Sequence, residues 1–255
     1  MGYLTYIPCQ IFGRKFRALI GMMCVSFCVH AQFNDSTFYY VYYSATGSYT
    51  KTNDLNATVL NNIVKFSIEK KNISFHTTNG WIYGIQSGVK INNDFSSVVE
   101  SDILKKQQPV YYWAIGTFDK SYSLKINHRF QTGAGLGWTV VNKKNISVVL
   151  SDGVIYEQGD LINAEQTPLR YELWRNSARL KYRWVIHDIV TWDGTGFWQP
   201  SLTTPHDNIM KYSTTLSVKL KKWLSLTSAV TYNKLTLTGR ENLIVTGGIV
   251  LEKFF

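Results

Sequence analysis

Lys211-Tyr-Ser-Thr-Thr-Leu-Ser-Val-Lys-Leu220 reads as two interleaved sequences. Tyr212, Thr214, Leu216, Val218 and Leu220 hold the even positions, and Lys211, Ser213, Thr215, Ser217 and Lys219 the odd ones. Successive side chains of a β-strand point to opposite faces, so this stretch suits a sheet with hydrocarbon on one side and water on the other. The pattern recurs. Phe130, Ala134, Leu136, Trp138 and Val140 alternate with Gln131, Gly133, Gly135, Gly137 and Thr139, and Leu224, Leu226, Val230 and Tyr232 oppose Ser225, Thr227, Thr231 and Asn233. Two candidate strands, 110–122 and 146–160, are apolar on both faces and leave their orientation open.

Extending the alternation in both directions gives twelve strand candidates: 36–51, 57–70, 73–89, 94–106, 110–122, 129–143, 146–160, 170–186, 189–203, 208–221, 223–236 and 241–255. Short turns at Lys70-Lys71-Asn72, Lys105-Lys106-Gln107, Lys143-Lys144-Asn145, His187-Asp188 and Lys221-Lys222 recur at roughly 37 residues, the length of one long-stranded hairpin. Between them lie the stretches Thr52–Asn56, Lys90–Asn93, Ser123–His128, Leu161–Leu169, Thr204–Asp207 and Leu237–Arg240, which are expected to be longer, polar loops. Short turns on one side and longer loops on the other are the habit of transmembrane barrels, with both termini on the periplasmic side. The expected fold is therefore all-β: a closed antiparallel transmembrane β-barrel of about twelve strands spanning 32–255, in the outer membrane of a Gram-negative bacterium.

The first 31 residues read as a signal peptide. Arg14, Lys15 and Arg17 precede an apolar run from Leu19 to Phe27, and Val29-His30-Ala31 supplies small residues before the expected cut at Gln32. All three cysteines, Cys9, Cys24 and Cys28, fall inside this leader, so thiol chemistry and disulfides are not expected in the processed chain. Beyond the leader no stretch reaches the roughly 20 apolar residues of a membrane helix. The net charge of +10 falls to about +7 once the leader is removed. For an exported chain such a basic surface meets lipid headgroups and sugars before nucleic acid. Tyr39, Tyr40, Tyr42, Tyr43, Trp81, Tyr83, Tyr111, Tyr112, Trp113, Trp184, Trp223 and the closing Phe254-Phe255 crowd the strand ends, where an amphipathic ring suits a bilayer interface. The Lys pairs at the short turns fit a rim facing phosphates.

Tyr122-Ser-Leu-Lys-Ile-Asn-His-Arg-Phe-Gln-Thr-Gly-Ala-Gly-Leu-Gly-Trp138 resembles the segment typical of the domain-of-unknown-function 481 family, described as salt-induced outer-membrane proteins, in a Bacteroidota-like form. Arg175-Asn-Ser-Ala-Arg-Leu-Lys-Tyr-Arg183, Leu216-Ser-Val-Lys-Leu-Lys-Lys-Trp-Leu-Ser-Leu-Thr227 and Leu251-Glu-Lys-Phe-Phe255 extend the likeness. The resemblance implies location and architecture and supplies no catalytic residue. The last strand also resembles the signal read by the barrel-assembly machinery: Phe255, Leu251, Ile249, Val245 and Leu243 fit it, and Lys253 departs from it.

The strongest chemical feature is a basic ladder. Arg175, Ser177, Arg179, Lys181 and Arg183 share one parity, and Trp174, Ala178, Leu180, Tyr182 and Trp184 the other. An Arg or Lys facing lipid at mid-membrane costs about 2–4 kcal/mol, so the ladder is expected to face the lumen. Two readings follow. Either the bases form successive charge sites for passive passage of small anionic solutes, or they pair with lumen carboxylates and fill the interior. Glu100, Asp102 and Glu157 are the leading candidates for such carboxylates, with Glu69, Asp119, Glu172 and Asp193 also available.

Gly133-Ala134-Gly135-Leu136-Gly137 superficially resembles a phosphate-binding loop, but it lies in an alternating strand with no helix after it. Small inward residues there are better read as room for bulky side chains opposite. A barrel hydrolase would need a histidine beside a nucleophile. Ser74 and His76 share a face, while His128, His187 and His206 have no such neighbour in sequence, so no enzymatic role is expected. No metal, cofactor or nucleic-acid signature appears. The expected partners are outer-membrane lipids, the assembly machinery during biogenesis and, on the pore reading, small anionic solutes.

Overall fold

The computed structural model describes residues 38–52, 55–70, 72–103 and 108–255. The leader and the turn expected at 105–107 lie outside the described residues. The strands are β1 (Tyr39–Thr52), β2 (Leu55–Lys70), β3 (Ile73–Gln86), β4 (Val89–Ile103), β5 (Val110–Ser121), β6 (Ile126–Lys143) and β7 (Ile146–Ile162). They continue as β8 (Pro168–Asn176, resumed as Ala178–Ile186), β9 (Val190–Pro200), β10 (Asn208–Lys221), β11 (Leu224–Leu235) and β12 (Arg240–Phe254). Each strand pairs antiparallel with its neighbours in sequence, and β1 pairs with β12, Tyr43 opposite Leu251. The result is a closed antiparallel barrel of twelve strands without a free edge.

The interruption of β8 is local. Both halves pair with β7, and the Ser177 N–H still donates to the Gly153 carbonyl at 2.9 Å. On the other side β9 ends at Pro200, which has no N–H to offer. The Arg175 guanidinium takes up the slack, donating through Nη1 to the Gln199 carbonyl at 3.2 Å.

Alternation settles the two faces. Trp174, Leu180 and Trp184 are exposed while Arg175, Ser177 and Arg179 between them are buried. The same holds for β5 and β7, which the sequence left open. Tyr111, Trp113, Ile115, Val149 and Ile155 form a buried cluster on the inner face, and Tyr112, Leu150 and Val154 are exposed on the outer one. These strands are apolar on both sides because one side meets hydrocarbon and the other a packed lumen.

The expected loop at Lys90–Asn93 is corrected by the structure. These residues belong to β4, and the chain reverses at Ser87-Gly88, whose φ angles of +48° and +80° are those of a tight hairpin turn. The polar run misread as loop begins a lumen-facing row, in which Asn92 Nδ2 donates to Asp94 at 3.0 Å. Asn56 likewise falls within β2, and β6 starts at Ile126, inside the stretch expected as loop. The expected contrast between short turns and long loops is therefore weaker than the composition suggested.

Candidate functional site in the barrel lumen

Three carboxylates organise the lumen. The deepest is Glu157 on β7. Arg175 on β8 donates to it twice, Nε to Oε2 and Nη2 to Oε1, each at 3.0 Å, and both side chains are 0% exposed. The Tyr171 hydroxyl donates to Oε1 at 2.7 Å, and Gln131 Nε2 donates to Oε2. The same Arg175 Nη2 reaches Asp207, in the loop between β9 and β10, at 2.7 Å. Gln131 also donates to Gln199 Oε1 at 3.2 Å, and Gln199 Nε2 donates to the Ser177 hydroxyl at 3.2 Å. Every strand from β6 to β9 thus contributes to one buried network. Burial outweighs Arg175 at Asp207 and raises that loop carboxyl above its ordinary range.

The second centre is Glu100 on β4, which receives two rungs of the basic ladder. Arg179 Nη1 lies 2.7 Å from Oε1, and Lys181 Nζ lies 2.8 and 2.9 Å from the two oxygens. Neither cation comes from a strand adjacent to β4, so these bonds cross the lumen. Arg179 is further held by Nε donating to the Ser151 hydroxyl at 2.8 Å and by the rings of Trp113 and Phe197, 5.5 and 5.8 Å from its guanidinium. The third centre is Asp119 on β5, bound by Arg129 Nη2 of β6 at 2.6 Å and by Lys211 Nζ of β10 at 3.0 Å. This too crosses the lumen.

Removing a charged partner from such a site leaves a buried ion without compensation, which costs about 3–5 kcal/mol. The geometry is therefore a set of mutually dependent clamps. Their reach depends on the glycines of β6 and β7. A Cβ on Gly135 would stand 2.7 Å from the Trp113 ring, and one on Gly137 would run into the Tyr111 ring. Bulky inner side chains of β5 lie flat over a wall stripped of its own.

The ladder residues are treated unequally. Arg175, Arg179 and Lys181 are each ion-paired, whereas Arg183 stands opposite Asp193 in the β8–β9 register, is exposed, and has no ion pair to it. Asp102 is fully buried, opposite Trp113 and Ser74. Glu172 is a correction. It shares its parity with Trp174, faces outward, and accepts the Tyr156 hydroxyl at 2.7 Å. His76 faces the lumen opposite Glu100, and His128 packs near Phe130 outside. His187 and His206 sit in turns at φ +52° and +62°.

Sequence reasoning missed the cap. The turn between β5 and β6 folds inward, so that Leu124 is buried with Ile126, Ile209 and Leu235. The Asn242 amide of β12 donates to the Ser123 hydroxyl at 3.0 Å, and Ser123 donates to Asp94 at 2.7 Å. The β7–β8 loop joins in through Ala164 N–H to the Leu237 carbonyl at 2.9 Å. Apolar Leu124 inside a polar turn was the available signal.

No family model matches the chain, and no curated protein does. Solved structures match in fold. The translocator domain of the autotransporter NalP from Neisseria meningitidis aligns at TM-score 0.51 and 11% identity, over 86% of this chain and 89% of that one. The NanC porin aligns at TM-score 0.53 and 11% identity, over 83% of this chain and 99% of the porin. The fold is that of the outer-membrane β-barrels.

Proposed function

We propose that this chain is an outer-membrane barrel whose lumen is held shut at rest by charge pairs, rather than a standing open pore. The observation that carries the reading is the convergence of Arg179 and Lys181 on Glu100 from across the lumen, 2.7 and 2.8 Å from one oxygen. Lumen cations matched by carboxylates give no continuous basic track for an anion to follow. The inward cap around Leu124 adds a second obstruction. Phe255 pairing through its backbone with Tyr39 supports a terminal strand that closes the barrel as an assembly signal would require, with both termini toward the periplasm. The likeness to the domain-of-unknown-function 481 family is compatible with this role and with an activity that is not enzymatic.

A second reading keeps the small anion pore, and Arg183 supports it as a lumen cation that is exposed and, among the described residues, not ion-paired. Liposome swelling separates the two. Vesicles carrying the wild-type barrel should admit small sugars and gluconate no faster than empty vesicles. Glu100→Gln, with heat-modifiable gel migration confirming the fold, should admit gluconate. Rapid swelling with the wild type would favour the pore.

A further inference from the structure

The outer wall between β6 and β10 carries a groove of about 770 Å³, within the roughly 300–1,000 Å³ of small-molecule sites. Its floor is thin because Ala178 and Gly196 face outward there, and Leu150, Leu180, Trp198 and Met210 stand around it. Ser151, Arg179 and Lys211 reach the lining from the inner-facing parity, and among its outward-facing residues one, Asp152, is charged. Asp152, on the outer face of β7, accepts a hydrogen bond from the Asn176 amide of β8 at 2.8 Å on Oδ1. Its Oδ2 has no hydrogen-bond partner among the described residues, and the side chain is exposed.

The depth of this pair follows from the aromatic residues around it. Trp174 packs with Tyr156, ring centroids 5.3 Å apart, on one side, and Trp184 lies further along the same strand on the other. That interval is about 33 Å of strand, or about 23 Å along the normal at 45° tilt, which matches the apolar band of such barrels. Asn176 lies between those two tryptophans, and Asp152 lies inside Tyr156 along β7. A carboxylate, held by a neighbouring carboxamide, therefore opens onto a groove within the hydrocarbon band. Ionisable groups at that depth are costly without a partner and mark functional positions.

We infer that the groove binds a lipid acyl chain bearing a hydroxyl group, the chain lying along Leu150, Leu180 and Trp198 and the hydroxyl donating to Asp152. An unsubstituted chain fills the same apolar space but offers the carboxylate nothing. A hydroxyl supplies the missing donor without bringing a charge into the bilayer. The inference rests on the outer wall facing lipid and is independent of whether the lumen is shut.

Native mass spectrometry of the full detergent-solubilised barrel tests it, with 3-hydroxyoctadecanoate, 10-hydroxyoctadecanoate and octadecanoate offered at equal concentration. At least one hydroxylated chain should be retained tenfold or more over octadecanoate. Asp152→Leu, which suits a lipid-facing position, should lose that preference while still retaining octadecanoate, and Ala178→Trp should retain none of the three. Equal retention of all chains, survival of the preference in Asp152→Leu, or a second copy of the barrel as the retained species would overturn the proposal. Swelling of wild-type vesicles would count against the shut lumen and leave this result untouched.

Discussion

The two halves of the inner wall are built on different chemistry. From β4 to β9 the lumen face carries long side chains, Glu100, Trp113, Asp119, Arg129, Glu157, Arg175 and Arg179, buried and bonded to one another. From β10 through β12 to β1 it carries chiefly short ones, with Ser225, Thr227, Thr246, Ser44 and Thr46 buried along it. Bonds in the short-chained half are chiefly between neutral groups, such as Thr246 to Thr46 at 2.9 Å and Ser217 to Thr227 at 3.0 Å. One wall supplies the obstruction and the other the space it occupies. Two exceptions stand out: Lys211 reaches from β10 to Asp119, and the Tyr40 hydroxyl of β1 donates to Glu252 of β12 at 3.0 Å.

This contrast predicts very unequal sensitivity. The largest loss should follow Glu157→Leu, which leaves Arg175 and Arg129 facing a site without its carboxylate, at about 3–5 kcal/mol. Urea unfolding in detergent, followed by tryptophan fluorescence, measures it, and a loss below 1 kcal/mol would mean that water already solvates the site. Gly135→Val comes next. Its Cβ would press on the Asp152 carbonyl and the Trp113 ring, and overpacking of this kind costs about 1–3 kcal/mol or more. The outward Gly116, with nothing within 4 Å of a new Cβ, should accept Ala within about 0.5 kcal/mol. Equal responses at the two glycines would erase the distinction between filled lumen and open outer face. On the short-chained wall Thr46→Val removes two neutral hydrogen bonds, one to the Asn61 carbonyl and one from Thr246, and should cost only about 1–2 kcal/mol.

Alternation made the barrel legible because a lipid face and a polar lumen differ at every second residue, as at Tyr212–Leu220. It failed where the lumen is itself apolar. Trp113 and Ile155 resemble lipid-facing residues in composition, and only the glycines of β6 hint that something bulky lies over them. The basic ladder was readable as a row of charges, but its partners were not. Which carboxylate meets Arg179 depends on curvature that brings β4 opposite β8, and no local spacing records it. Glu172 was misplaced when all acids were pooled without regard to parity. The cap was hidden because Leu124, though an apolar residue in a polar turn, does not record that turn's path over the lumen.

Single-channel recording in planar bilayers addresses the shut lumen most directly. Wild-type barrel, inserted and confirmed as folded, should carry no steady current in symmetric potassium chloride, while Glu100→Gln combined with Asp119→Asn should conduct with anion selectivity. A steady current through the wild type, unchanged by those substitutions, would contradict the account.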